Sequence, residues 1–364
     1  SVRERKPDMV FTNSISISVA SFVYGKGLGI PVIGVQLHMN HINSKYHPCF
    51  QKPKSRYPPG VSRDYVAMSL RFFFETLKKR RNSLKYIVEK YGTELGIDDV
   101  YSFKTHLSTY VCDRTPELRL WTVYLTPTIS LSDSDIWIPP CFRNDDIQLA
   151  PIIGYPAENV EHGNDDIINT VKSPIVYMAC SHVMDIDDAS NKSLMESAII
   201  ASKREGFSLI IQDATTRGAF SKDKIATDID SEHCTFINGY VNHRTILTSV
   251  DIVIHHGGVG TTTGCIVANV PFIIIPHFVD QFHHADWTSK VGISVGLPSR
   301  RHVNEMSLQR AMCNIKSNYQ QFETNCKHVS KSMKEPYKAL MAIVTKAHEM
   351  QKGKTDTHRH HTVS

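Results

Sequence analysis

The stretch Val250-Asp-Ile-Val-Ile-His-His-Gly-Gly-Val-Gly-Thr-Thr-Thr-Gly264 carries the reading of the fold. Four apolar residues (Val250, Ile252, Val253, Ile254) run into His255 and His256 and then into Gly257, Gly258 and Gly260. An apolar run bounded by glycines reads as a buried strand leaving a sheet at its carboxyl end. Glycines let the backbone turn tightly and approach a ligand closely. Thr261, Thr262 and Thr263 then bring hydroxyls and backbone N–H groups to the place where a helix would begin. The first amides of a helix are unpaired and its dipole is positive there, so the segment reads as an anion site for a phosphate or diphosphate.

Strand and helix patterns alternate on either side of this loop. Strands are expected at 175–179, 208–211, 235–237, 250–254, 272–275 and 292–295, with helical stretches at 193–205 and 306–317. Such alternation argues a parallel, doubly wound sheet with right-handed crossovers, whose ligands bind outside the carboxyl ends of the strands. The first half offers strands at 8–12 and 30–35, a helix candidate at 16–27, and a loop at 40–60 rich in Pro, His, Asn and Lys. Val66, Leu70, Phe73, Phe74, Leu77, Leu84, Ile87 and Val88 fall at helical spacing and predict one long amphipathic helix ending near Gly92. Residues 120–154 read as strand, loop and strand, and the polar segment 156–173 as a linker. A last helix over 336–350 precedes a polar tail ending His358-Arg-His-His361. No fixed-period repeat is present.

The chain has 364 residues, enough for one large or two medium domains, with 41% hydrophobic and 21% charged residues. The net charge of +5 is mild and, apart from Lys78-Lys-Arg-Arg81 and the tail, dispersed, so nothing argues for nucleic acid. Those four cations read first as a solvated helix face, with weak attraction to an anionic membrane surface as the alternative. The eight cysteines show no Cys-x-x-Cys spacing, and Cys180 and Cys265 lie at core strands or their exits. A reducing, cytoplasmic setting without disulfides or structural zinc is expected, with peripheral membrane contact as an option. Apolar runs fall short of a membrane span and no signal peptide opens the sequence.

Gly239-Tyr-Val-Asn-His243, His255-His-Gly-Gly-Val-Gly-Thr-Thr262, Pro271 and the run Pro276 to Gln281 together resemble the donor-binding signature of the family 1 UDP-glycosyltransferases. The likeness is greatest to the sterol and macrolide branch, and extends weakly through Lys6-Pro-Asp8, Gly29-Ile-Pro31 and 147–155. The resemblance implies an α/β GT-B fold of two Rossmann-like, doubly wound domains, the N-terminal one incomplete. It implies a partial acceptor domain over 1–160, a UDP-sugar domain over 174–335, a C-terminal helix over 336–351 and a polar tail over 352–364.

The same resemblance places His255 on the donor diphosphate, with Gly257, Gly258, Val259, Gly260, Thr261 and Thr262 as its backbone cradle. Tyr240 falls where an aromatic ring stacks on uracil. The backbone of Val241 pairs with the base edge, and His243 closes that segment. Asp280 and Gln281 match the pair that holds the sugar hydroxyls, a carboxylate and an amide suited to adjacent OH groups. Ala179-Cys-Ser-His182 stands where the family has Gly-Phe-Gly-Ser, which puts Ser181, a further donor contact, one position early. Thr263 stands where plant members have a ribose-binding glutamate.

The family's general base is a histidine in a Gly-rich turn after the first strand of the N-terminal domain, suited to deprotonating an acceptor hydroxyl. It is expected upstream of residue 1, with about two βαβ units of roughly 30 residues; His38 and His41 do not match its place. The implied function is transfer of a hexose, glucose by branch, from a UDP-sugar to a hydroxyl of a lipophilic acceptor such as a sterol, with inversion and without cofactor. Alternatives are a UDP-sugar-binding fragment without that base and, further off, a nucleotide-sugar epimerase. A metal reading of His255, His256, His277, His283, His284 and Asp286 stands behind the phosphate reading, because the glycine spacing already suits phosphate. His283 and His284 read as surface or pocket-lining residues. Phe72, Phe73 and Phe74 read first as core, and the terminal histidines as a disordered tail.

Overall fold

The computed structural model describes short segments of the first half (within residues 7–36, 78–93, 117–119 and 135–137), nearly all of 170–332, and Thr345 and His348. The chain divides into two compact units, each taken separately below. The predicted helix at 16–27, loop at 40–60, most of the linker, all of the 336–350 helix but Thr345 and His348 (both helical), the phenylalanine cluster, His38, His41 and the tail histidines lie outside the described residues.

In the first unit β1 (Val10–Asn13), β2 (Val32–Gln36), β3 (Glu117–Arg119) and β4 (Asp135–Trp137) form a parallel sheet in that order. Val10 stands opposite Val32 and Leu118 opposite Ile136. The two strands expected from the sequence at 8–12 and 30–35 are present, each shifted toward its C-terminal side. Residues 85–91, inside the long helix read from the periodicity, are helical.

The second unit contains β5 (Ile175–Cys180), β6 (Ser208–Asp213), β7 (Cys234–Asn238), β8 (Ile252–His255), β9 (Phe272–Ile274) and β10 (Ser294–Gly296). All are parallel, in the order β10-β9-β8-β5-β6-β7. The chain therefore builds outward from β5 through β6 to β7, then returns to the far side of β5 to lay down β8, β9 and β10. The reversal of strand order between β5 and β8 is the topological switch point at which α/β sheets open a crevice. The strands are apolar on both faces because helices cover both, as parallel sheets require.

Six helices follow the strands: α1 (Asp188–Glu205), α2 (His243–Leu247), α3 (Val259–Ala268), α4 (Asp280–Val291), α5 (Glu305–Ser317) and α6 (Tyr319–Ser332). The α1 start is set by Asp187, whose carboxylate accepts from the Ser190 N–H at 2.8 Å, and its end by Gly206 in the left-handed region at φ 75°. The α5 start is a reciprocal capping box between Asn304 and Ser307. Leu194, Met195, Leu308 and Met312 join Val176, Met178, Ile252, Ile254 and Ile273 in the main core. Cys180 packs in the same core, and Cys265 is buried within α3; both are free thiols whose ionisation burial opposes. Alternation along β8 sends Ile252 and Ile254 into that core, while Val253 and His255 face the opposite layer.

Candidate functional site

The loop after β8 is built around two glycines that are constrained for different reasons. Gly257 has φ +91°, and a Cβ there would sit 2.8 Å from Cγ2 of Ile274 and 3.4 Å from Cβ of Gln281. Gly258 has an ordinary φ of −62°, but a Cβ on it would lie 2.5 Å from Nε2 of His256. Gly258 is the N-cap of α3 and brings no capping side chain. The first amides of α3 therefore have no acceptor within the helix, and the positive end of its dipole is undiluted. Gly260 is exposed and its Cα faces open space.

His256 lies half-buried at this helix start, and its Nδ1 is 3.1 Å from Oγ of Ser181, just past β5. The pair spans the carboxyl ends of the two strands at the switch point. His284 supports the loop from beneath: its Nδ1 donates to the Gly257 carbonyl at 2.6 Å. Gln281 is buried against Gly257, and its Oε1 accepts from the His277 backbone N–H at 2.8 Å. Beyond β7, Gly239 turns at φ +85°. The Gly239 carbonyl accepts from Nε2 of Gln212 at 2.7 Å, and the Tyr177 hydroxyl donates to Oε1 of the same glutamine.

The structure brings Ser181, Gly257, Gly258, Val259, Gly260 and Thr261 to the carboxyl ends of β5 and β8, and the other residues of this region stand as follows. His255 is fully buried as the last residue of β8, its ring 5.3 Å from that of Phe272, so the imidazole at the mouth is His256 instead. Thr262 and Thr263 turn their hydroxyls back onto the carbonyls of Gly258 and Val259, at 2.9 and 2.7 Å, which leaves Thr261 as the half-exposed hydroxyl of the three. His243 packs edge-on against Tyr177 at the base of α2 rather than lining the mouth. His284 is a buried loop support, not a surface residue. Val241 is buried behind the 239–243 turn. Tyr240 and the side chains of Asp280 and His283 lie outside the described residues. Among the described residues no group of three or more His, Cys, Asp or Glu is arranged to hold a metal ion.

His256 was missed because two adjacent histidines carry no spacing signal. The missing signal was strand alternation: with Ile254 in the main core, His255 belongs to the opposite layer and only the residue after it can reach the mouth.

Burial holds two imidazoles of this region neutral. His277 is pushed down to about 3 by burial, partly offset by its bond to the Ile275 carbonyl, and His255 is driven well below its usual range by burial and by His256. In an unfolded chain both would titrate near about 6.5. Their contribution to stability is therefore complete above that pH and is lost as the pH falls toward the folded values. Each is expected to cost roughly 1.4 kcal/mol per pH unit over the range in which only the unfolded form takes the proton. Urea unfolding at pH 7.5, 6 and 5 should show this decline, and His277→Asn should make it shallower; an equal slope in the variant contradicts the assignment.

Residues 235–347 match the family of the erythromycin biosynthesis protein CIII-like C-terminal domain. The sterol 3-beta-glucosyltransferase of Kluyveromyces lactis is 30% identical over 165 residues, which is 45% of this chain and 13% of that protein. The chain thus matches about an eighth of its relative's length. Among solved structures, the glycotransferase of kitacinnamycin aligns over 94% of this chain and 76% of its own, with TM-score 0.57 and 15% identity. The spinosyn rhamnosyltransferase SpnG complexed with thymidine diphosphate aligns over 95% and 74%, with TM-score 0.54 and 14% identity. The parallel α/β architecture with this switch point thus has the GT-B fold of these solved glycosyltransferases, and its second half is similar in sequence to the erythromycin CIII-like C-terminal domain and to the sterol 3-beta-glucosyltransferases.

Proposed function

We propose that the crevice between β5 and β8 binds the diphosphate of a UDP-sugar, and that the protein transfers glucose from it to the hydroxyl of a lipophilic acceptor such as a sterol. The observation that carries this is the uncapped start of α3 with the His256–Ser181 pair standing over it at the switch point. With the Ser181 hydroxyl donating to Nδ1, the His256 ring keeps its proton on Nε2 and presents it beside the free amides of α3. Donors fixed in this way stabilise the charge that grows on a departing diphosphate as the acceptor oxygen attacks and inverts the anomeric carbon. Tyr240 and Val241 would hold the base, and Asp280 and Gln281 the sugar. No cofactor is required, since the nucleotide supplies the leaving group. The name of the yeast relative and the thymidine diphosphate bound by the spinosyn enzyme support the reading. Peripheral membrane contact would bring a sterol within reach; no helix among the described residues is long and apolar enough to cross a membrane.

The test is calorimetric titration with UDP and UDP-glucose, followed by product analysis with a sterol. Absence of UDP binding at millimolar concentration defeats the proposal. Gly260→Ala refines it. Inside a helix the change should raise stability by about 0.5–1 kcal/mol. If phosphate lies over that open backbone, UDP affinity should fall about tenfold, equivalent to ~1.4 kcal/mol. Unchanged affinity would move the phosphate away from the helix start.

A further inference from the structure

Besides Nε2 of His255, two buried groups near the glycine loop have hydrogen-bonding capacity with no partner among the described residues: Nε2 of His277 and Nε of Arg300. Their senses are opposite. The Nδ1 of His277 is 2.7 Å from the Ile275 carbonyl, which can only accept, so Nδ1 carries the proton and Nε2 is a bare acceptor. Burial keeps the ring in this form, with its ionisation pushed down to about 3. The Nε–H of Arg300 is a donor only. The guanidinium is held by the Ser190 carbonyl, and the Arg300 backbone N–H by the Pro276 carbonyl at 3.2 Å, one residue from His277. Arg300 lies close enough to His277 to disfavour its protonation, as does His256.

A leftover acceptor and a leftover donor, on residues brought together by the bond from the Arg300 N–H to the Pro276 carbonyl, match a group that both gives and takes one hydrogen bond, which is a hydroxyl. A phosphate oxygen does not fit, because it would meet the lone pair of His277. The place is also set: His277 follows β9, its backbone is tied to Gln281, and His256 is near enough to disfavour its protonation.

We infer that His277 and Arg300 recognise one hydroxyl of the donor's sugar ring and make the site favour a hydroxylated sugar nucleotide over the bare nucleotide. This rests on the UDP-sugar reading above. Buried polar groups of this kind discriminate strongly, because a ligand that lacks the hydroxyl leaves both unpaired.

The experiment compares affinities for UDP and UDP-glucose in the full chain and in three variants. His277→Asn keeps an N–H for the Ile275 carbonyl and deletes Nε2; Arg300→Lys keeps the cation and deletes Nε–H. Each is expected to leave UDP binding within about twofold while reducing the gain from the glucosyl group about tenfold. His277→Gln, which returns an acceptor near the lost nitrogen, should recover part of that gain. An unchanged glucosyl gain in the asparagine variant assigns the space to water and overturns the inference. Loss of UDP binding together with the sugar gives His277 a purely structural part and also overturns it. Failure of the parent chain to bind UDP instead defeats the nucleotide reading itself, and the inference with it.

Discussion

His256→Ala should weaken UDP binding by roughly 10- to 100-fold, the loss expected for a hydrogen bond to a charged group, about 1.5–3 kcal/mol. Its ring is half-buried and carries no core contact comparable to that of His255, so the thermal midpoint should move little. His255→Ala is the opposite experiment. It removes a fully buried ring that packs on Phe272, and should lower stability while leaving the mouth chemically intact. Calorimetry and thermal unfolding of both variants decide which histidine serves the ligand. A binding loss confined to His255→Ala would restore the assignment read from the sequence.

Gly257→Ala should be the most damaging single change in the loop. A non-glycine residue at φ +91° carries about 1–3 kcal/mol of backbone strain. Its methyl would also enter the 2.8 Å space beside Ile274, an overpacking cost of about 1–3 kcal/mol. The sum, about 2–6 kcal/mol, corresponds to a fall of roughly 5–20 °C in thermal midpoint for a domain of this size. Displacement of the loop would also break the Gly257–His284 bond and misdirect the amides of α3. UDP binding should therefore vanish together with stability. A soluble Gly257→Ala protein with its parent's melting point would refute the strain argument.

The fold was legible because its cues are local. Apolar runs at 175–179, 208–211 and 250–254 became β5, β6 and β8, and the glycines after β8 announced a turn into a helix. Strand ends drifted by one or two residues: β6 continues through polar Gln212 and Asp213, whose side chains are satisfied by Tyr177, Gly239 and Phe220 from elsewhere in the unit. Such long-range bonds have no sequence signature. Helix α4 was read as motif because its buried face mixes Gln281, His284 and Thr288 with Phe282 and Ala285, whereas α6 was not read although Phe322, Cys326 and Val329 recur at helical spacing on its buried face. In the site, the glycine cradle was readable from residue type. The exchange of His255 for His256, the buried hydroxyl of Thr262 and the two orphaned groups of His277 and Arg300 depend on which way each side chain points, and only the packed sheet decides that.

The adjacent histidines have a consequence for register. Sliding β8 by one residue against β5 would exchange its two faces and put either His256 into the inner layer or His255 at the mouth. Either slip leaves an imidazole at one of the two positions, so the pair by itself sets the register weakly. That task falls to the strand's two ends. At the start, the Asp251 carboxylate accepts from the Ile175 N–H at 2.7 Å while its own N–H donates to the Ile175 carbonyl at 2.9 Å. At the finish, a backbone turn only glycine tolerates fixes residue 257. Between these two stops the strand has one setting, so Asp251, half-buried at the opposite end of the strand from the glycine loop, decides which of the two adjacent rings stands at that loop.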